Sequence, residues 1–146
     1  MMRHRRTAAV ALATVIPAAV VLSGCATIDE FVHNERSWEF AGASELATGW
    51  GGHADWVPDD AGDIRIREST SGDVAALVLV SDSALDPALC AQVERLSGPA
   101  FEVEGTPDPF RVADAFACAD WTVIATDDGW FGWTPNHPDE AAQSPS

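Results

Sequence analysis

The chain is predicted to fold as an α+β protein, a small antiparallel sheet of four or five strands with one packed helix, following a signal peptide and a tether. Three observations carry this expectation. Asp63-Ile64-Arg65-Ile66-Arg67 alternates strictly between polar and apolar, as a half-buried strand does. Asp128-Gly129 sits between two runs rich in aromatic and β-branched residues, the strongest short-range hairpin signal. Asp86-Pro87 opens a stretch in which Leu89, Val93 and Leu96 recur at helical spacing. With 146 residues, the chain holds at most one modest domain.

Taken in order, the first segment reads as an address. Arg3, Arg5 and Arg6 precede residues 8–22, which are uncharged and mostly apolar, and the small residues Ser23 and Gly24 follow. Basic start, apolar run and small-residue end are the three parts of a secretory signal peptide, placed here at residues 1–24. The run is interrupted by Pro17 and falls short of the ~20 residues needed to cross the hydrocarbon core. Arg5-Arg6 lacks the flanking pattern of a twin-arginine signal, which favours general secretion. Residues 25–45 read as tether, polar from Asp29 to Arg36 and then carrying Trp38 and Phe40 in a stretch of undetermined structure.

The globular domain is expected over residues 46–135. Gly51-Gly52 and Pro58-Asp59-Asp60 are turn signals on either side of Trp56, and the alternating strand follows with Ile64 and Ile66 inward. Residues 74–80 are apolar at every position and rich in Val and Leu, which favours a strand covered on both faces. Asp86 as N-cap and Pro87 in the first turn start the predicted helix, and Gly98 is placed to end it. Phe101 and Val103 alternate with Glu102 and Glu104 in a predicted short strand that Pro107 and Pro109 terminate; residues 110–117 suit a short helix or an extended segment equally. Residues 121–125 and 130–133 form the predicted hairpin, and residues 136–146 read as a disordered tail.

Charge excludes one class of partner. From residue 25 onward the chain carries five Arg, no Lys and 23 acids, a formal charge of −18, which repels phosphate backbones and argues against nucleic-acid binding. Three cysteines are present, and with Cys25 set aside Cys90 and Cys118 have one pairing open to them in an exported protein. Two buried thiols are the competing arrangement; a metal site is disfavoured because no His adjoins either cysteine.

The hairpin raises the main functional expectation. A two-residue loop at Asp128-Gly129 pairs Ala125 with Gly132 and Ile124 with Trp133, leaving Trp121, Val123, Ala125, Trp130 and Gly132 on one face and Thr122, Ile124, Phe131 and Trp133 on the other. A one-layer sheet with one helix buries only one set. Trp121, Trp130, Phe131 and Trp133 are therefore the candidate ligand-binding residues, an aromatic platform suited to sugar faces or apolar ligands, with a slot beside the small pair Ala125 and Gly132. Their alternative role is the domain core.

Catalytic signals are sparse. His33 falls in the tether and His137 in the tail, so His53 with Asp55 is the one His/acid pair of the expected domain, and no Ser stands in a nucleophile elbow. The acidic turns Asp59-Asp60-Ala61-Gly62-Asp63 and Asp127-Asp128-Gly129 lack the spacing of a calcium loop. No phosphate-binding glycine loop and no zinc pattern occurs, so neither cofactor nor metal is expected.

Leu22-Ser23-Gly24-Cys25, at the end of the apolar run, resembles the lipobox of bacterial lipoproteins. The resemblance covers residues 1–25. It implies that the Cys25 thiol receives a diacylglyceryl group, that a peptidase cuts between Gly24 and Cys25, and that the mature protein sits on the extracytoplasmic face of the cell membrane. Two acyl chains at ~0.8 kcal/mol per buried CH₂ hold a protein stably. The absence of Lys and Tyr, with Trp56-Val57-Pro58 and the aromatic run ending at Pro135, is similar to small actinobacterial lipoproteins of unassigned function. The expectation is thus a membrane-anchored extracytoplasmic protein with two function classes open: a non-enzymatic binding module whose aromatic platform contacts glycan, lipid or an envelope protein, or an envelope hydrolase using His53 and Asp55.

Overall fold

The computed structural model describes residues 34–145. The expected signal peptide, Cys25 and the first part of the expected tether lie outside the described residues. Seven strands form one antiparallel sheet in the order β1-β2-β3-β7-β6-β5-β4. They are β1 (Glu35–Gly42), β2 (Gly62–Ser69), β3 (Ala75–Val80), β4 (Ala91–Glu94), β5 (Asp114–Cys118), β6 (Trp121–Ala125) and β7 (Gly129–Thr134). Two short helices, α1 (Ala43–Gly49) and α2 (Pro138–Ala141), accompany them. The protein is therefore mainly β, with a larger sheet than the four or five strands expected.

The centre of the sheet follows the sequence pattern. Ile64 and Ile66 of β2 are buried, and β3 is covered on both faces. Ala75, Leu77 and Leu79 join one apolar cluster with Trp56, Trp121 and Val123. Ala76 and Val78 join a second cluster, on the opposite face, with Ile124, Phe131 and Trp133. A one-residue register shift between Gly62 and Arg65, with Asp63 at φ 46°, marks a bulge near the start of β2.

The β6–β7 hairpin pairs Ala125 with Trp130 and Val123 with Gly132, so its loop is longer than two residues, and Thr126 N donates to Gly129 O at 2.9 Å to close it. The shift from the expected register is two residues, an even number, so both faces keep their predicted membership. The physical reason is Gly129 itself. It pairs with Val80 of β3, and a Cβ there would run into the Leu79 carbonyl. This glycine serves a close backbone approach rather than the turn.

Four expectations are corrected at the periphery. The tether does not extend to residue 45, because β1 pairs along β2 from Glu35↔Ser69 to Gly42↔Gly62, with Trp38 and Phe40 packed on the first cluster. The helix at residues 86–98 is one turn only: Ala88 N donates to Asp86 Oδ1 at 2.8 Å and Cys90 N to Asp86 O at 2.9 Å, after which the chain becomes β4. The cap signal was legible, but a stripe of three apolar residues does not sustain a helix against pairing with β5. Leu89 and Leu96 consequently remain exposed. Phe101 and Val103 belong to an irregular segment that covers the second cluster, not to a strand. Finally, residues 136–145 are not a loose tail, since α2 buries Glu140 completely.

Cys90 and Cys118 form a disulfide, with Cα atoms 4.3 Å apart. They continue the β4–β5 ladder one position beyond Ala91↔Ala117. The helix expected over residues 86–98 would make this bond a staple from helix to sheet; with that helix reduced to one turn, it joins an edge strand to its neighbour.

Candidate functional site

The hairpin aromatics do not form a platform. Trp121, Phe131 and Trp133 are 2%, 1% and 1% exposed, because loops cover both faces of the sheet and not one. Their indole N–H groups are used internally: Trp121 Nε1 donates to His53 O at 2.8 Å and Trp133 Nε1 to Ser97 Oγ at 2.9 Å. Trp130 is half-buried, donates to Ser83 O at 3.0 Å and packs edge-to-face on Phe116. The slot beside Gly132 exists but is filled by the chain's own Trp56, whose Cζ2 would lie 2.6 Å from a Cβ at that glycine.

His53 and Asp55 are both exposed, and they share a depression of about 300 Å³ beneath α1. Its walls include Leu46, Ala47, Trp50 and Val57 but no Ser, Thr or Cys, so it offers no hydroxyl or thiol nucleophile. The acidic turns act locally. Asp60 accepts from Ser81 Oγ at 2.5 Å and from Asp82 N at 3.1 Å, and the Ser81 hydroxyl foremost holds its carboxyl below the ordinary range. Among the described residues no three His, Cys, Asp or Glu side chains come together as metal ligands do, and no helix is long and apolar enough to cross a membrane.

A larger concavity lies elsewhere, at the end of the sheet where β1 begins and β2 ends. It is a cleft of about 670 Å³. Its walls include Trp38 from β1, Trp50 and His53 from the segment after α1, Glu68 from β2, and the turns containing Asp73 and Asp120. That volume falls in the range of small-molecule sites.

One carboxylate organises this cleft. Glu68 Oε1 accepts from Trp38 Nε1 at 2.6 Å, and Oε2 accepts from Trp50 Nε1 at 2.8 Å. Two indoles from separate segments are thereby locked by one side chain. Trp38 also stacks against Phe40, and the Arg36 guanidinium lies 5.6 Å from its ring centroid. Trp50 meets Trp121 edge-on at 6.2 Å, which roots the cleft floor in the core. Sequence reasoning missed this site because Trp38 fell in the supposed tether and Glu68 ends a strand like any solvent-facing acid. The one available signal was the short Trp38-Glu39-Phe40 alternation, which places Trp38 and Phe40 on the same face of a strand.

On the opposite face, buried Glu140 is the second concentration of polar groups. Its Oε1 accepts from Leu96 N at 2.7 Å and Ser97 N at 3.2 Å. Its Oε2 accepts from Ser97 Oγ at 2.5 Å, Thr122 Oγ1 at 2.8 Å and His137 N at 2.8 Å. Burial pushes this carboxyl up, but the donors of Ser97, Leu96, His137 and Thr122 outweigh it and hold it below its ordinary value. The cluster is closed to solvent and structural in kind.

No family model, no curated protein and no solved structure matches the chain.

Proposed function

We propose that the protein is a lipid-anchored, extracytoplasmic binding module, held at the cell membrane through Cys25, whose cleft beside Trp38 and Trp50 takes a small ligand. The observation that carries the binding reading is the pair of indoles fixed by Glu68 at the wall of this cleft. Ordered aromatic rings with a few convergent polar groups are the usual makings of a ligand site. The position of the cleft suits an anchored protein. Thr70, on its wall, donates from N to Asn34 O at 2.8 Å, so the first described residue lies at the cleft rim. The nine residues 26–34 reach about 30 Å at full extension, which keeps the cleft near the bilayer.

The anchor is tested by labelling cells with a clickable palmitate analogue. The wild-type protein is expected to take the label and Cys25→Ala to lose it; label persisting in Cys25→Ala removes the anchor. For the cleft, fractionated small-molecule extracts of cell envelopes are added to the full-length protein. At least one fraction is expected to raise its melting temperature and shift its tryptophan emission, both effects disappearing in Trp38→Ala. A blank screen, or an effect undiminished in Trp38→Ala, overturns the binding reading.

A further inference from the structure

We infer that the ligand of this cleft is a small soluble organic cation bearing an ammonium or guanidinium group, an inference that rests on the binding reading above and narrows it to a chemical class. Glu68 is the centre of the argument. It is half-buried, both of its oxygens point to neutral indole N–H donors, and among the described residues no ion pair meets its charge. Dipoles orient a carboxylate without neutralising it, and charges withdrawn from water ordinarily acquire an opposite partner. A carboxylate accepts at about four lone-pair positions, of which the two indoles use two. The remaining capacity lies in a cleft large enough for a small molecule.

The walls complete the match. Indole faces attract cations through the ring quadrupole, most strongly among the aromatic side chains, and this cleft presents two indoles beside the carboxylate. That the Trp38 ring suits such a group is visible in the chain itself, where the Arg36 guanidinium lies over it. Arg36 stands across the ladder from Glu68, with its guanidinium against the Trp38 ring. Asp73 and Asp120 at the cleft walls add negative potential against the single positive charge of Arg36. An anionic ligand would meet the same field as repulsion.

The test titrates the full-length protein with choline, spermidine and arginine amide, with glycerol and glucose as neutral probes and citrate as an anionic one, following tryptophan emission and melting temperature. At least one cation is expected to bind saturably, and Glu68→Gln to weaken it tenfold or more. His53→Arg, at an exposed position of the cleft wall that leaves the Glu68 bonds untouched, is expected to weaken it similarly by placing a cation in the cleft, so the inference stays testable if Glu68→Gln fails to fold. Saturable binding of glucose, glycerol or citrate without any cation overturns the cation assignment and leaves the binding reading standing. Cation effects unchanged in both variants overturn it as general attraction to an acidic protein. No response to any cation overturns it as well, whereas the binding reading falls with a blank extract screen or with an extract effect undiminished in Trp38→Ala.

Discussion

Replacing Glu140 with alanine is expected to destabilise the protein by about 3–4 kcal/mol, measured by urea denaturation at pH 7. Five donors converge on this one carboxylate, from Leu96, Ser97, Thr122 and His137, and removal leaves them without their partner in a closed site. A buried donor deprived of its acceptor keeps its full desolvation penalty. Glutamine is a milder replacement in shape but brings an NH₂ group toward donors, so Glu140→Gln is expected to lose at least half as much. A loss below about 1 kcal/mol for Glu140→Ala would refute the structural role assigned to this carboxylate.

The same carboxylate sets a pH dependence whose sign is fixed by its depressed pKa. In the folded state it releases its proton below the ordinary value of 4.5, so the unfolded chain binds more protons over that interval. The stabilisation is therefore complete above pH 4.5 and fades as pH falls toward the folded-state pKa. The gap between wild type and Glu140→Gln, largest at neutral pH, is expected to narrow on acidification through that window. A gap that widens on acidification contradicts the assignment.

Loss of the Cys90–Cys118 bond is the second large effect. The two cysteines are 28 residues apart, and freeing that loop in the unfolded chain corresponds to about 3.5 kcal/mol in the chain-entropy account. The Cys90→Ala/Cys118→Ala double variant is expected to show this difference in urea melts, with the amides of β4 exchanging faster than those of β3. β4 is a four-residue edge strand whose one ladder neighbour is β5, so the covalent link is its main restraint against fraying. Equal stability of the double variant and the oxidised wild type would refute this role.

Where one strand's own pattern decided the matter, the sequence was sufficient. The alternation around Ile64 and Ile66 and the unbroken apolar run of β3 both named strands, and the second also named burial on two faces. Parity protected the hairpin: its loop was misjudged, yet an even shift left Trp121 and Trp133 on opposite faces as read. The failures cluster where local pattern is short or polar. β4 has four residues, and its start carries a genuine helix cap. The β5–β6 turn places Ala119 at φ 53° with no Gly or Asn to announce it.

The candidate site was less legible than the fold, for a reason visible in three residues. Trp38, Trp50 and Glu68 lie in different segments, and none carries a motif. What joins them is the β1–β2 register, which sets Arg36 opposite Glu68 and Trp38 opposite Ile66, together with the return of the chain through α1. The misplaced platform has the converse explanation. Those tryptophans were read correctly as clustered, but whether a cluster is core or surface depends on what lies above it. Trp56 and the segment beginning at Phe101 supply that cover.

By itself the sequence determined the acidic character of the chain, the lipobox resemblance at Cys25, two central strands and the membership of the hairpin faces. These are properties of composition, order and period two. The tertiary structure alone decided the seven-strand order, the fate of the last ten described residues and the position of the cleft. Each depends on pairing between segments far apart in the chain, such as Glu140 with Leu96 or Trp38 with Glu68, and such pairings are selected by the free energy of the whole packed sheet.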